Sequence, residues 1–258
     1  MESWEKRRIP RPSENGFDGE ACPSLFIVAL PRTLSTLVHR ECCAALDLRS
    51  PRWASSGEIL NGDRVVISAE RPSGENPKFT PPEARYASEQ LDELLDDVVV
   101  ATGRAYKDVV QPFAVARWLA ARDMPILRIR RSLVDIAWSM QRAGWWYPEQ
   151  AATTTGGDRR DRLLAGLLRA SRALDALPAE VVEFDDLLAS EERLRTALRR
   201  LYPGRDVPPL AYADEGFRLR SRRMLAERQD PLWRELAERL AQLADEPVEP
   251  GPASRLIS

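Results

Sequence analysis

One segment limits the architecture more than any other. Ser24-Leu25-Phe26-Ile27-Val28-Ala29-Leu30-Pro31 is an almost unbroken apolar run, followed by a hydroxyl-rich turn and the helical segment Thr36–Leu46. A strand with one wet face alternates apolar and polar residues. A strand that is apolar at every position needs cover on both faces, which is the situation of an inner strand in a parallel sheet. The same run is far too short to span a bilayer. The rest of the chain repeats the pattern. Leu91, Leu94, Leu95 and Val98 share one face of a helix expected over 82–99, AYKDVV (105–110) reads as a strand, and 113–122 reads as an amphipathic helix. PILRIR (125–130) is a strand, 132–142 and 159–177 are helices, EVVEF (180–184) is a strand, and two or three arginine-laced helices follow. RVVISA (64–69) is a weaker strand candidate, and 71–83, with four prolines, is an irregular excursion. Strands alternating with helices place crossovers on both faces of a sheet. The expectation is a single α/β domain over 23–245, with a parallel β-sheet flanked by helices, between a polar tail at 1–22 and a Pro-rich tail at 246–258.

Charge and rare residues remove several function classes. With 38 basic and 40 acidic residues the formal net charge is −2, without the basic excess of a nucleic-acid coat, so no nucleic-acid partner is expected. All the basic residues are arginines except Lys6, Lys78 and Lys107. One histidine, His39, and three cysteines cannot form a four-ligand zinc set without carboxylates, and a His-dependent hydrolase would have to use His39. Cys42 and Cys43 are adjacent and Cys22 stands alone, a pattern expected of reduced, buried thiols. Met1 to Cys22 holds no apolar stretch of the signal-peptide kind, so the expectation is a cytoplasmic protein without a membrane partner.

Two segments carry the chemistry. The turn Pro31-Arg32-Thr33-Leu34-Ser35-Thr36 leaves the carboxyl end of the buried strand and enters a helix. Such a turn presents unpaired N–H groups at a positive dipole end, here beside one guanidinium and three hydroxyls, and so suits an anion. It lacks the GxxxxGK[ST] pattern and its lysine. The plainer alternative is a strand-to-helix turn capped by Ser35 or Thr36. A hundred residues on, Arg131 ends another strand and Ser139 follows two helical turns later, with Asp135 between them on nearly the same face. A strand-end arginine with a helix hydroxyl suits a second phosphate; singly, each would read as an ordinary surface residue.

Together these segments resemble the sulfotransferases that use 3′-phosphoadenosine 5′-phosphosulfate (PAPS). That family's first motif is approximately P-[RK]-[ST]-G-[ST]-T, matched by 31–36 except at Leu34; its second is approximately R-N-P-x-D-x-x-x-S, matched at Arg131, Asp135 and Ser139. VVEFDDLL (181–188) is similar to the family's late strand and acidic turn, and the resemblance runs over 24–202. It implies a P-loop NTPase-like sulfotransferase fold, PAPS as donor, adenosine 3′,5′-bisphosphate as product, no metal, and a hydroxylated small-molecule acceptor, with a bacterial natural product as one option. It further implies that Arg32, Thr33, Leu34, Ser35 and Thr36 hold the 5′-phosphosulfate, with Arg32 offsetting charge on the leaving oxygen. Arg131 and Ser139 would hold the 3′-phosphate. Leu34 departs from a glycine that lets backbone approach the ligand without a Cβ.

The base implied by the glutamate-using branches is Glu58, in Ser56-Gly57-Glu58. His39, one turn past Thr36, competes with it, and Glu41, Lys107 and Asp108 remain open. Lys107 at a strand end opens toward the sulfonate, and Trp145, Trp146 and Tyr147 would wall the acceptor pocket or pack in the core. Arg218, Arg220, Arg222 and Arg223 would reach a phosphate or form a solvated face, whereas Trp4 and Trp233 carry no functional signal. A nucleotide-dependent phosphotransferase on the same fold and a non-catalytic nucleotide-binding module are the alternatives. Nothing in the sequence decides the oligomeric state.

Overall fold

The apolar run forms β1 (Leu25–Ala29), an inner strand of a four-stranded sheet. The computed structural model describes residues 22–51, 56–60, 78–153, 157–210, 212 and 227–245. The strand expected at 64–69, the tails at 1–21 and 246–258, and the Arg218–Arg223 cluster lie outside the described residues. β2 (Ala105–Asp108), β3 (Ile126–Arg130) and β4 (Glu180–Glu183) join β1 in the order β2-β1-β3-β4, all parallel, with Ile27 opposite both Lys107 and Leu127. The helices are α1 (Ser35–Leu46), α2 (Arg85–Val98), α3 (Pro112–Ala120), α4 (Leu133–Arg142), α5 (Arg159–Asp175), α6 (Phe184–Ala189), α7 (Glu192–Leu201) and α8 (Pro231–Asp245).

Alternation along the strands builds two cores. Phe26, Val28, Tyr106 and Ile126 pack among residues of α2, α3, α4, α5 and α8 on one face; Leu25, Ile27, Ala29, Leu127 and Ile129 pack among residues of α1, α6 and α7 on the other. Every residue of β1 is buried, and an apolar side chain so placed stabilises the fold by about 1.5–3 kcal/mol. Arg128 and Asp108 are charged exceptions on the first face. Arg128 is 2 % exposed, pairs with Asp175 at 2.8 Å and donates to the Ser171 hydroxyl at 3.1 Å.

Local hydrogen bonds set two boundaries differently from the periodicity. β2 stops at Asp108 because that carboxylate accepts the N–H groups of Val110 and Gln111 and turns the chain into α3. Phe184 opens α6 instead of closing β4. The connection from β1 runs into α1 on one face, while that from β3 runs into α4 on the other. The loops leaving these neighbouring strands therefore part, opening a crevice at their carboxyl ends, where ligands of open α/β sheets bind. No helix among the described residues is long and apolar enough to cross a membrane.

Candidate active site

The crevice is a cleft of about 820 Å³. Its floor is the turn after β1, in which Arg32 and Leu34 both adopt left-handed backbone, at φ 66 and 60. That conformation costs a non-glycine residue roughly 1–2 kcal/mol. It is a backbone that glycine adopts freely, so Leu34 stands in a glycine-type conformation. Leu34, not Ser35 or Thr36, stands at the N-cap of α1, where no side chain caps the helix and no acid lies in the first turn. The first N–H groups of α1 thus keep their donor capacity toward the cleft. The Thr33 hydroxyl is turned inward to the Leu30 carbonyl at 2.9 Å.

The two expected phosphate segments meet directly. Arg32 Nε donates to Ser139 Oγ at 2.9 Å, and Arg131 Nη1 donates to the Arg32 carbonyl. The Arg131 side chain is only 6 % exposed, its guanidinium 4.1 Å from the Phe184 ring centre and 3.7 Å from Asp135. Among the described residues its Nε has no hydrogen-bond partner, and burial lowers its pKa against the pull of Asp135. Asp135 accepts from Trp233 Nε1 at 2.6 Å and from Arg228 Nη2 at 2.8 Å, and Arg228 also reaches Asp185 at 2.9 Å. Trp233, which shows no functional signal in sequence, therefore braces a cleft arginine through Asp135. Arg228 and Trp233 lie 93 and 98 residues from Asp135, so no local pattern could have revealed them.

Glu58 arrives by backbone pairing. Its segment forms a parallel bridge with Lys107, and the Lys107 N–H donates to the Gly57 carbonyl at 2.8 Å. This seats the Glu58 carboxylate 3.7 Å from Lys107 Nζ, which donates to Thr36 Oγ1 at 2.7 Å. His39 sits beneath this arrangement and does not line the cleft. It is 1 % exposed, with Nε2 bonded to the Ala105 carbonyl at 2.9 Å, and burial lowers its pKa. A Cβ on Gly57, whose φ is +77, would lie 2.3 Å from the imidazole. The ring and the glycine fit together as packing partners that carry the Glu58 segment. Glu41, 8 % exposed, pairs with Arg40 and is also not part of the cleft wall.

Asp108 Oδ1 is buried without a hydrogen-bond partner among the described residues, and burial pushes the carboxyl up to about 7, with Glu58 adding repulsion. Above the ordinary carboxylate range and below about pH 7, the folded protein keeps a proton that the unfolded chain releases, so stability falls as pH rises through that window. Asp108→Asn is expected to flatten this loss, whose size is on the order of a few kcal/mol. Urea midpoints at pH 5 and pH 8 check it, and an equal pH dependence in both proteins would refute it.

The aromatic triplet divides. Trp145, 41 % exposed, and Tyr147 line the cleft, with the Arg32 guanidinium 5.3 Å from the Trp145 ring. Trp146 does not line it; it packs against the core beneath Arg159, whose guanidinium is 4.5 Å from its ring. Lys78, within the stretch read as an irregular excursion, joins the cleft wall beside Tyr147. Among the described residues, no group of three or more His, Cys, Asp or Glu side chains is arranged to hold a metal ion.

No protein-family model matches the chain, and no curated protein matches it. Among solved structures, a sulfotransferase domain from the curacin biosynthetic pathway superposes on 88 % of this chain and 99 % of its own, at 12 % identity and a TM-score of 0.40, a likeness too loose to bear on activity. What the chain itself displays is an α/β fold on a four-stranded parallel sheet, whose carboxyl edge gathers an uncapped helix start, several cations and one carboxylate into a single cleft.

Proposed function

We propose that the protein is a sulfotransferase that moves the sulfuryl group of PAPS to a hydroxyl of a small-molecule acceptor. The observation that carries this reading is the chain Glu58–Lys107–Thr36, lying against the strained turn whose Arg32 is tied to Ser139. It combines a carboxylate to take a proton, a cation beside it, and donors for two anionic groups within one cleft. The residues present fit PAPS. The open N–H groups of α1 are donors that an anion would satisfy, and Arg32 and Arg131 line the same cleft.

In this reading the N–H groups of 33–36, with Arg32, hold the 5′-phosphosulfate, and Arg131 and Ser139 hold the 3′-phosphate. Glu58 takes the proton of the acceptor hydroxyl as its oxygen bonds to sulfur in line with the departing phosphate oxygen. Lys107 and Arg32 balance the charge that the breaking S–O bond leaves on that phosphate. In this reading His39 takes no part in proton transfer, because it is buried outside the cleft wall with Nε2 bonded to the Ala105 carbonyl.

The test is a titration with adenosine 3′,5′-bisphosphate beside ADP. Preference for the bisphosphate by about tenfold or more, lost in Arg131→Ala, is the expected result. Equal affinity for ADP overturns the reading in favour of a phosphotransferase or a binding module. Transfer of label from PAPS to an acceptor separates an enzyme from such a module.

A further inference from the structure

Among the described residues, five cations and one carboxylate line the cleft. Arg32, Lys107 and Arg131 are engaged with the turn after β1 or with the residues that face it. Arg142 lies over Trp138 at 4.8 Å, within 3.9 Å of Asp230, on the α4 side. Lys78 is left. It is half-buried, its ammonium is 5.4 Å from the Tyr147 ring centre, and among the described residues it makes no ion pair.

Its position relative to the aromatic residues gives it meaning. From the turn outward, Arg32 lies 5.3 Å from Trp145, Trp145 lies 6.3 Å from Tyr147, and Tyr147 lies 5.4 Å from Lys78, with Phe79 closing the corner 5.4 Å from Tyr147. A two-ring wall thus links Arg32 to the Lys78 ammonium. Rings of this kind bind flat apolar bodies, and a partly desolvated ammonium binds an anion far better than it binds water-exposed neutral groups.

We infer that Lys78, with Tyr147 and Trp145, forms an acceptor subsite for a flat, ring-bearing molecule that carries a carboxylate or similar anion at the end remote from the sulfated hydroxyl; this rests on the sulfotransferase reading for which end reacts. The charge distribution gives the subsite an orienting role. Among the described residues Glu58 is the one carboxylate lining the cleft, so an acceptor's own anion is repelled from the base and drawn to Lys78, leaving the hydroxyl to face Glu58. An ammonium-bearing acceptor would be drawn the opposite way and present the wrong end.

Equilibrium binding to the full chain tests this without requiring turnover. The probes are 3-(4-hydroxyphenyl)propionate against its amide, and 4′-hydroxybiphenyl-4-carboxylate against its carboxamide, the two pairs differing in length. In at least one pair the carboxylate is expected to bind about tenfold more tightly than the amide. Lys78→Ala should remove that difference without weakening the amide, and Lys78→Glu should reverse it. Lys78 is a half-buried loop residue, so these variants retain the fold, and an unchanged melting temperature verifies it. Equal binding within both pairs, or a Lys78→Ala effect shared by acid and amide, overturns the subsite. If the preference is present and depends on Lys78 while adenosine 3′,5′-bisphosphate binds no better than ADP, the subsite stands and the sulfotransferase reading falls.

Discussion

Replacing Glu58 with glutamine is expected to lower turnover about a thousandfold, within the range that general-base groups supply, while leaving adenosine 3′,5′-bisphosphate binding unchanged. The substitution keeps the volume and hydrogen-bonding capacity of the side chain but removes its ability to hold a proton. The parallel bridge that places residue 58 beside Lys107 is a backbone interaction, so the segment stays where it is. The Lys107–Thr36 bond at 2.7 Å does not involve Glu58, so the turn after β1 keeps its support. Single-turnover transfer from labelled PAPS, read beside a bisphosphate titration, separates chemistry from binding. Unchanged turnover would remove Glu58 as the base. A fall in turnover matched by an equal fall in bisphosphate affinity would assign Glu58 to donor binding instead.

The largest stability effect is expected at Asp135. It is 3 % exposed, accepts hydrogen bonds from Arg228 and Trp233, and forms an ion pair with Arg131 at 3.7 Å. Asp135→Ala leaves the buried Arg131 guanidinium without a counter-charge and the Trp233 N–H without an acceptor. Breaking a buried ion pair from one side costs about 3–5 kcal/mol. Arg228 adds less to this, since its side chain is 32 % exposed and keeps Asp185. Bisphosphate affinity should fall with stability, because Arg131 also anchors the Arg32 carbonyl. Asp135→Asn, which retains an acceptor for Trp233, should recover part of the stability. Chemical denaturation with the variant pair checks this; a loss below about 1 kcal/mol in Asp135→Ala, the level of an exposed pair, would refute the bracing role.

Much of the scaffold is readable in the chain because it depends on local pattern. The continuous apolar stretch of β1 requires two covered faces, and the two motif segments follow strands whose carboxyl ends share one edge. Leu34 looks in sequence like a defect in the turn; the structure gives it the left-handed conformation that explains why a glycine is common at such a place. His39 looks like a candidate base because it stands one turn from Thr36. A helical turn, however, says nothing about whether a side chain points to the cleft or to the strand beside it, and the Ala105 carbonyl takes the ring.

Residue spacing by itself determined the alternation of strands and helices, and the order in which a hydroxyl-rich strand-to-helix turn and a strand-end arginine appear. Those properties follow from side-chain periodicity and turn chemistry within a few residues. Only the tertiary structure decided which charges meet. The Arg32–Ser139 link, the Arg228–Asp135–Arg131 brace, the Glu58–Lys107–Thr36 chain and the Lys78–Tyr147 contact join groups from separate parts of the chain. Electrostatic interaction depends on distance and desolvation in space, and neither is set until the sheet has brought the carboxyl ends of β1, β2 and β3 together.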